Sequence, residues 1–138
     1  MIAFARPAAA IALTLALFAA APAPEAQARQ ASCPALNHLD PDADGSFSIF
    51  EAKRRARMVF EKLNNDGDQT LEADELRGRV SARALAAANP DGDGSLDRRE
   101  WRRLLKARFN AANPDRDWSI ECDELATPQG HALFLMLK

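Results

Sequence analysis

Four twelve-residue windows in this chain carry carboxylates at alternate positions: "DPDADGSFSIFE" from Asp40, "NNDGDQTLEADE" from Asn64, "NPDGDGSLDRRE" from Asn89 and "NPDRDWSIECDE" from Asn113. Each has Asp at positions 3 and 5, a hydroxyl residue at 7, an apolar residue at 8 and Glu at 12. All but Glu25 and Glu61 of the 20 acidic residues lie inside them. A solvated acidic loop has no reason to keep that order four times. The order suits ligation of a hard cation. An ion of calcium's size takes about six to eight oxygens, which alternate carboxylates and a final bidentate Glu can supply.

The candidate ligands follow window by window. Window 1 offers Asp40, Asp42, Asp44, Ser46, Ser48 and Glu51, with Gly45 at position 6, where the chain turns most sharply, and Ser48 at position 9, where a water completes the shell. Window 2 offers Asn64, Asp66, Asp68, Thr70, Glu72 and Glu75. Its position 6 is Gln69, and positive φ at a residue with a Cβ costs about 1 kcal/mol. Window 3 offers Asn89, Asp91, Asp93, Ser95, Asp97 and Glu100 around Gly94. Window 4 offers Asn113, Asp115, Asp117, Ser119, Glu121 and Glu124, but Trp118 stands at the turn. Up to four ions are expected, with the second and fourth sites weaker. Phe47, Leu71, Leu96 and Ile120 at position 8 should face the core and pair the windows side by side through short strand contacts.

Helices must hold these windows. Ala52 to Leu63 places Ala52, Ala56, Val59, Phe60 and Leu63 on one face at helical spacing. Arg98 to Ala112 does the same with Trp101, Leu104, Leu105, Phe109 and Ala112. Between windows 2 and 3, Gly78 breaks the helix and Ser81 can cap a second short one reaching Ala88. Thr127 and Pro128 start a last helix into "ALFLMLK", which is apolar on all sides and is either core or a contact surface for a protein partner.

Net charge is −2 and there are two cysteines. Residues 1–28 read as an export signal: Arg6, an apolar run from Ala8 to Ala20 too short to span a bilayer, and small residues ending in "AQA". The remainder, 29–138, suffices for one small domain in the periplasm or outside the cell. In an oxidising compartment Cys33 and Cys122 could form one disulfide, with free thiols the alternative. His38 and His131 have no ligand spacing. Export argues against nucleic acid as a partner, and no constellation resembles an enzyme's catalytic site.

Only 12 or 13 residues separate one window from the next. Ordinary EF-hands place a separate helix on either side of each loop, so here one helix must serve two. That spacing, with proline at position 2 (Pro41, Pro90, Pro114), resembles the lanmodulin-like EF-hand proteins, an exported bacterial family. The resemblance covers roughly Leu36 to Lys138, including "FEKLN", "ELRGRVS", "FNAANPD" and "DELATPQG". It implies an all-α fold, a compact three-helix bundle with four loops at the helix ends, ordered largely by metal, and a selectivity for trivalent lanthanide ions. Asn at position 1 in three windows, and Asn65 where window 2 would have proline, depart from the family pattern. Calcium and lanthanide therefore both stand, as do the roles of buffer, carrier or switch, calcium-responsive interaction module, and structural module stabilised by calcium.

Overall fold

The computed structural model describes Cys33–Lys138; the export-signal reading falls on residues outside that range. Among the described residues the chain forms six helices and no strand: α1 (Pro34–Leu39), α2 (Ile49–Leu63), α3 (Ala82–Ala88), α4 (Arg98–Ala112), α5 (Cys122–Leu125) and α6 (Pro128–Leu137). No described helix is long and apolar enough to cross a membrane.

The two long helices begin inside windows. Ser48 Oγ accepts from the Glu51 amide while the Glu51 carboxylate accepts from the Ser48 amide at 2.8 Å. This reciprocal pair satisfies two amides that a helix start leaves unbonded, so α2 starts at Ile49, three residues before the apolar face predicts. Asp97 and Glu100 do the same for α4. Positions 9 and 12 are therefore the cap and the third residue of these helices as well as candidate ligands. After window 2 the chain makes only a short turn, ended by Gly78 at φ 74°, and Ser81 then caps α3 by accepting from the Ala84 amide.

One core joins the elements. Trp101 is its largest fully buried side chain. Its Nε1 donates to the Ala56 carbonyl at 2.8 Å, and its ring meets Phe60 edge-on at 6.3 Å. Leu133, Met136 and Leu137 of α6 are buried as well, with Phe134 and Leu135 half-buried, which places most of the apolar tail in the core. Arginines serve the carbonyls of that helix: Arg108 Nη1 donates to Ala132 O at 2.8 Å and Arg55 Nε to Leu137 O at 3.0 Å. Burial pulls the Arg108 guanidinium below its ordinary value. The first turn of α6 lies so close to α5 that a Cβ on Gly130 would stand 2.2 Å from the Glu124 carbonyl.

Candidate metal centre

The four windows fold alike because each bonds itself alike. The side-chain oxygen of position 1 (Asp40, Asn64, Asn89, Asn113) accepts from the amide of position 4 at 2.6 to 3.0 Å. The Asp at position 5 accepts from the amide of position 7 at 2.8 to 2.9 Å. Short side chains bonded to the backbone two or three residues on are what bends the chain. Two left-handed residues complete each bend. Position 6 has positive φ at Gly45, Gln69, Gly94 and Trp118, as its turn demands, and position 4 has it at Ala43, Gly67, Gly92 and Arg116.

Position 8 then joins windows in pairs. Phe47 and Ile120 exchange backbone hydrogen bonds at 2.9 and 3.0 Å, and Leu71 and Leu96 do so at 3.0 and 2.9 Å. Window 1 thus lies beside window 4 and window 2 beside window 3, with all four side chains fully buried. Since α2 runs from window 1 to window 2 and α4 from window 3 to window 4, the two helices are antiparallel; Glu61, late in α2, pairs with Arg98 at the start of α4.

Three windows gather acids closely enough to hold a cation. Carboxylate oxygens lie within 4.8 Å of one another in Asp40, Asp42 and Glu51, in Asp66, Asp68 and Glu72, and in Asp115, Asp117 and Glu121. Window 3 does not form such a group. Asp97 Oδ1 there accepts from the Arg99 and Glu100 amides at 2.6 and 2.7 Å, so its charge is turned toward the start of α4. The Glu100 amide, then burial working the other way, then the Arg99 amide and nearby arginines hold Asp97 below the usual carboxylate range. The remaining candidate ligands stay on their windows: Asp44 and Asp93 are exposed, Ser46 and Thr70 half-buried, and Ser95 buried. Ser119 Oγ contacts both Asp117 and Glu121. Glu75 is tied to the Asn65 amide at 2.9 Å.

Charge crowding is visible in the carboxyls. A hydrogen bond with Asp40, slight desolvation and the charges of Asp44 and Glu51 raise the exposed Asp42. Burial would raise Asp40 too, but the Gly45 amide, the bond with Asp42 and the Ala43 amide outweigh it. For Glu124 burial dominates; the Glu121 amide works the other way, but the Glu121 carboxyl and the charge of Asp115 add to burial, and its pKa is pushed up to about 7. In window 1, Glu51 Oε2 accepts from the Ser48 amide and hydroxyl, whereas Oε1 is buried with no hydrogen-bond partner. A buried carboxylate oxygen without a donor is costly, and a cation beside Asp40 and Asp42 would satisfy it.

A disulfide joins Cys33 to Cys122, with Cα atoms 5.9 Å apart, so no described cysteine is free. His38 and His131 lie away from the acids: His38 contacts Arg55, and both rings flank Phe134. The left-handed position 4 at Ala43 and Arg116 escaped sequence reasoning, although glycine at that position in windows 2 and 3 marks it. No protein-family model matches the chain, and no curated protein matches it either.

Proposed function

We propose that this is an exported metal-binding protein whose four windows are EF-hand loops on a lanmodulin-like helical bundle, taking Ca²⁺ or trivalent lanthanide ions and completing its folding around them. The observation that carries this reading is Glu51 Oε1, buried without a donor beside Asp40 and Asp42. Each cluster repels itself when empty, so binding a cation and stabilising the fold are one process. A trivalent ion gains more from each carboxylate than a divalent ion of the same size. Carriage, buffering or switching fits this site better than catalysis. A partner surface on α6 is the weaker alternative, because Leu133, Met136 and Leu137 are already covered.

The test is a competitive titration of the metal-free mature protein with calcium and with a lanthanide, followed by circular dichroism and equilibrium dialysis. We expect saturable binding of two to four ions with a gain in helical signal. No binding by dialysis would sink the metal reading. Folding by calcium at concentrations no higher than the lanthanide requires would sink lanthanide preference alone.

A further inference from the structure

We propose that the Cys33–Cys122 disulfide is a positioning device for the window 1 and window 4 metal sites rather than a general staple of the fold. The inference rests on reading those windows as cation sites.

Its place in the chain carries the argument. Cys122 is position 10 of window 4, directly after Glu121 and two residues before Glu124. Cys33 is the residue on which α1 begins, and α1 ends at Leu39, immediately before Asp40, the first candidate ligand of window 1. Helix α1 has six residues and no side-chain cap at its start, so it is too short to hold itself and depends on what anchors it. Leu36 and Leu39 bury one side of it, and the disulfide fixes its first residue. The opposite boundary is the reciprocal Phe47 to Ile120 pair, extended by the Ile49 amide donating to the Trp118 carbonyl at 3.0 Å. Window 1 is therefore closed between a covalent bond on one side and backbone hydrogen bonds on the other, both leading into window 4. Windows 2 and 3 share the matching Leu71 to Leu96 backbone pair but have no covalent link.

A dithiol reductant would cleave the bond in a balanced step: two electrons and two protons pass to the sulfurs, leaving two thiols, and the reductant closes to its cyclic disulfide. Asp40 would then be held by its own turn and by the buried Leu36 and Leu39 alone, and Glu121 and Glu124 would lose the anchor between them. Ordering them would fall to the metal, and affinity would drop where that ordering is needed.

The experiment follows calcium binding window by window in the oxidised full-length mature protein, in the same protein under a dithiol, and in the Cys33→Ser, Cys122→Ser double variant. Backbone amide resonances of Gly45, Gly67, Gly94 and Ser119 report windows 1 to 4 in turn, and circular dichroism at saturating calcium reports the fold. We expect affinity at windows 1 and 4 to fall about tenfold or more on reduction, windows 2 and 3 to change less than about twofold, and reoxidation to restore the first pair. Equal loss at all four windows, no loss at any, or a reduced protein that no longer folds at saturating calcium would each overturn the proposal. An oxidised protein that binds neither calcium nor a lanthanide, run in the same way, would instead overturn the metal reading itself.

Discussion

The two window pairs share one backbone scheme and differ in what surrounds it. Windows 1 and 4 adjoin α1 and α5, which pack on each other and on α6, and are closed by a disulfide, and both gather three acids. Windows 2 and 3 are bounded by a single turn and the short α3, and only window 2 gathers its acids. The shared part is local: Asx-type turns and two left-handed residues recur wherever the spacing recurs. The difference comes from helix starts, which compete for the same carboxylates. Window 1 has Ser48 at position 9, so its cap uses a hydroxyl and leaves a Glu51 oxygen free. Window 3 has Asp97 there, a stronger cap that holds two amides at once. A fourth carboxylate does not help a site if the following helix claims it.

Several substitutions would break this contrast, and the largest effect should come from Gly130→Ala. The added methyl has only backbone to meet, at the Glu124 carbonyl and Leu125, so α6 must lift from α5. We expect a loss of about 3 kcal/mol in urea unfolding, with window 4 weakened before windows 2 and 3. Next, Glu51→Gln keeps the shape and removes the charge. Affinity at window 1 should fall by about 2 kcal/mol, roughly 30-fold in Kd by calorimetry. Glu100→Gln should weaken window 3 by less; an equal effect would mean that the metal draws Asp97 and Glu100 out of their capping arrangement and that the contrast belongs to the metal-free state.

The backbone strain divides windows differently. Trp118→Gly and Gln69→Gly relieve φ of 77° and 76°, while Gly94→Ala imposes the left-handed geometry on a methyl that meets nothing within 4 Å. Each should shift thermal stability by about 1 kcal/mol, up for the first two and down for the third. The last effect is that of pH. Glu124, at about 7, holds a proton in the folded metal-free chain that the unfolded chain releases at an ordinary carboxylate pKa. Its contribution to stability is therefore full below that ordinary value and is lost as pH rises through about 7. A cation displaces the proton, so window 4 should bind more tightly at pH 8 than at pH 6, with proton release measurable by calorimetry in buffers of different ionisation enthalpy. Unchanged affinity across that range would remove Glu124 from the ligand set.

Much of this was legible in the chain. The repeat, the extent of α4, the Ser81 cap and Trp101 as core anchor follow from spacing and periodicity, which act over a few residues. The partner of each window does not. Phe47 meets Ile120 rather than Leu71 because two long helices fold back antiparallel, a choice made by tertiary packing. The tail from Ala132 could not be assigned a face because it is apolar on every side, and only α4 and α2 closing around it decide that it is core. Ala43 and Arg116 were missed because intrinsic preference disfavours positive φ there, and hydrogen bonds from their amides to Asp40 and Asn113 override it.

The antiparallel helices also set a length scale. Each has 15 residues, so at about 1.5 Å per residue it spans roughly 22 Å and places a window at either end. Bound ions would thus form two close couples held far apart. That separation is more than twice the screening distance of about 8 Å at physiological ionic strength, so charge added at one end of the molecule is hidden from the other. Repulsion between cations would act within a couple and fade between couples, which makes α2 and α4 electrostatic spacers as well as scaffolding.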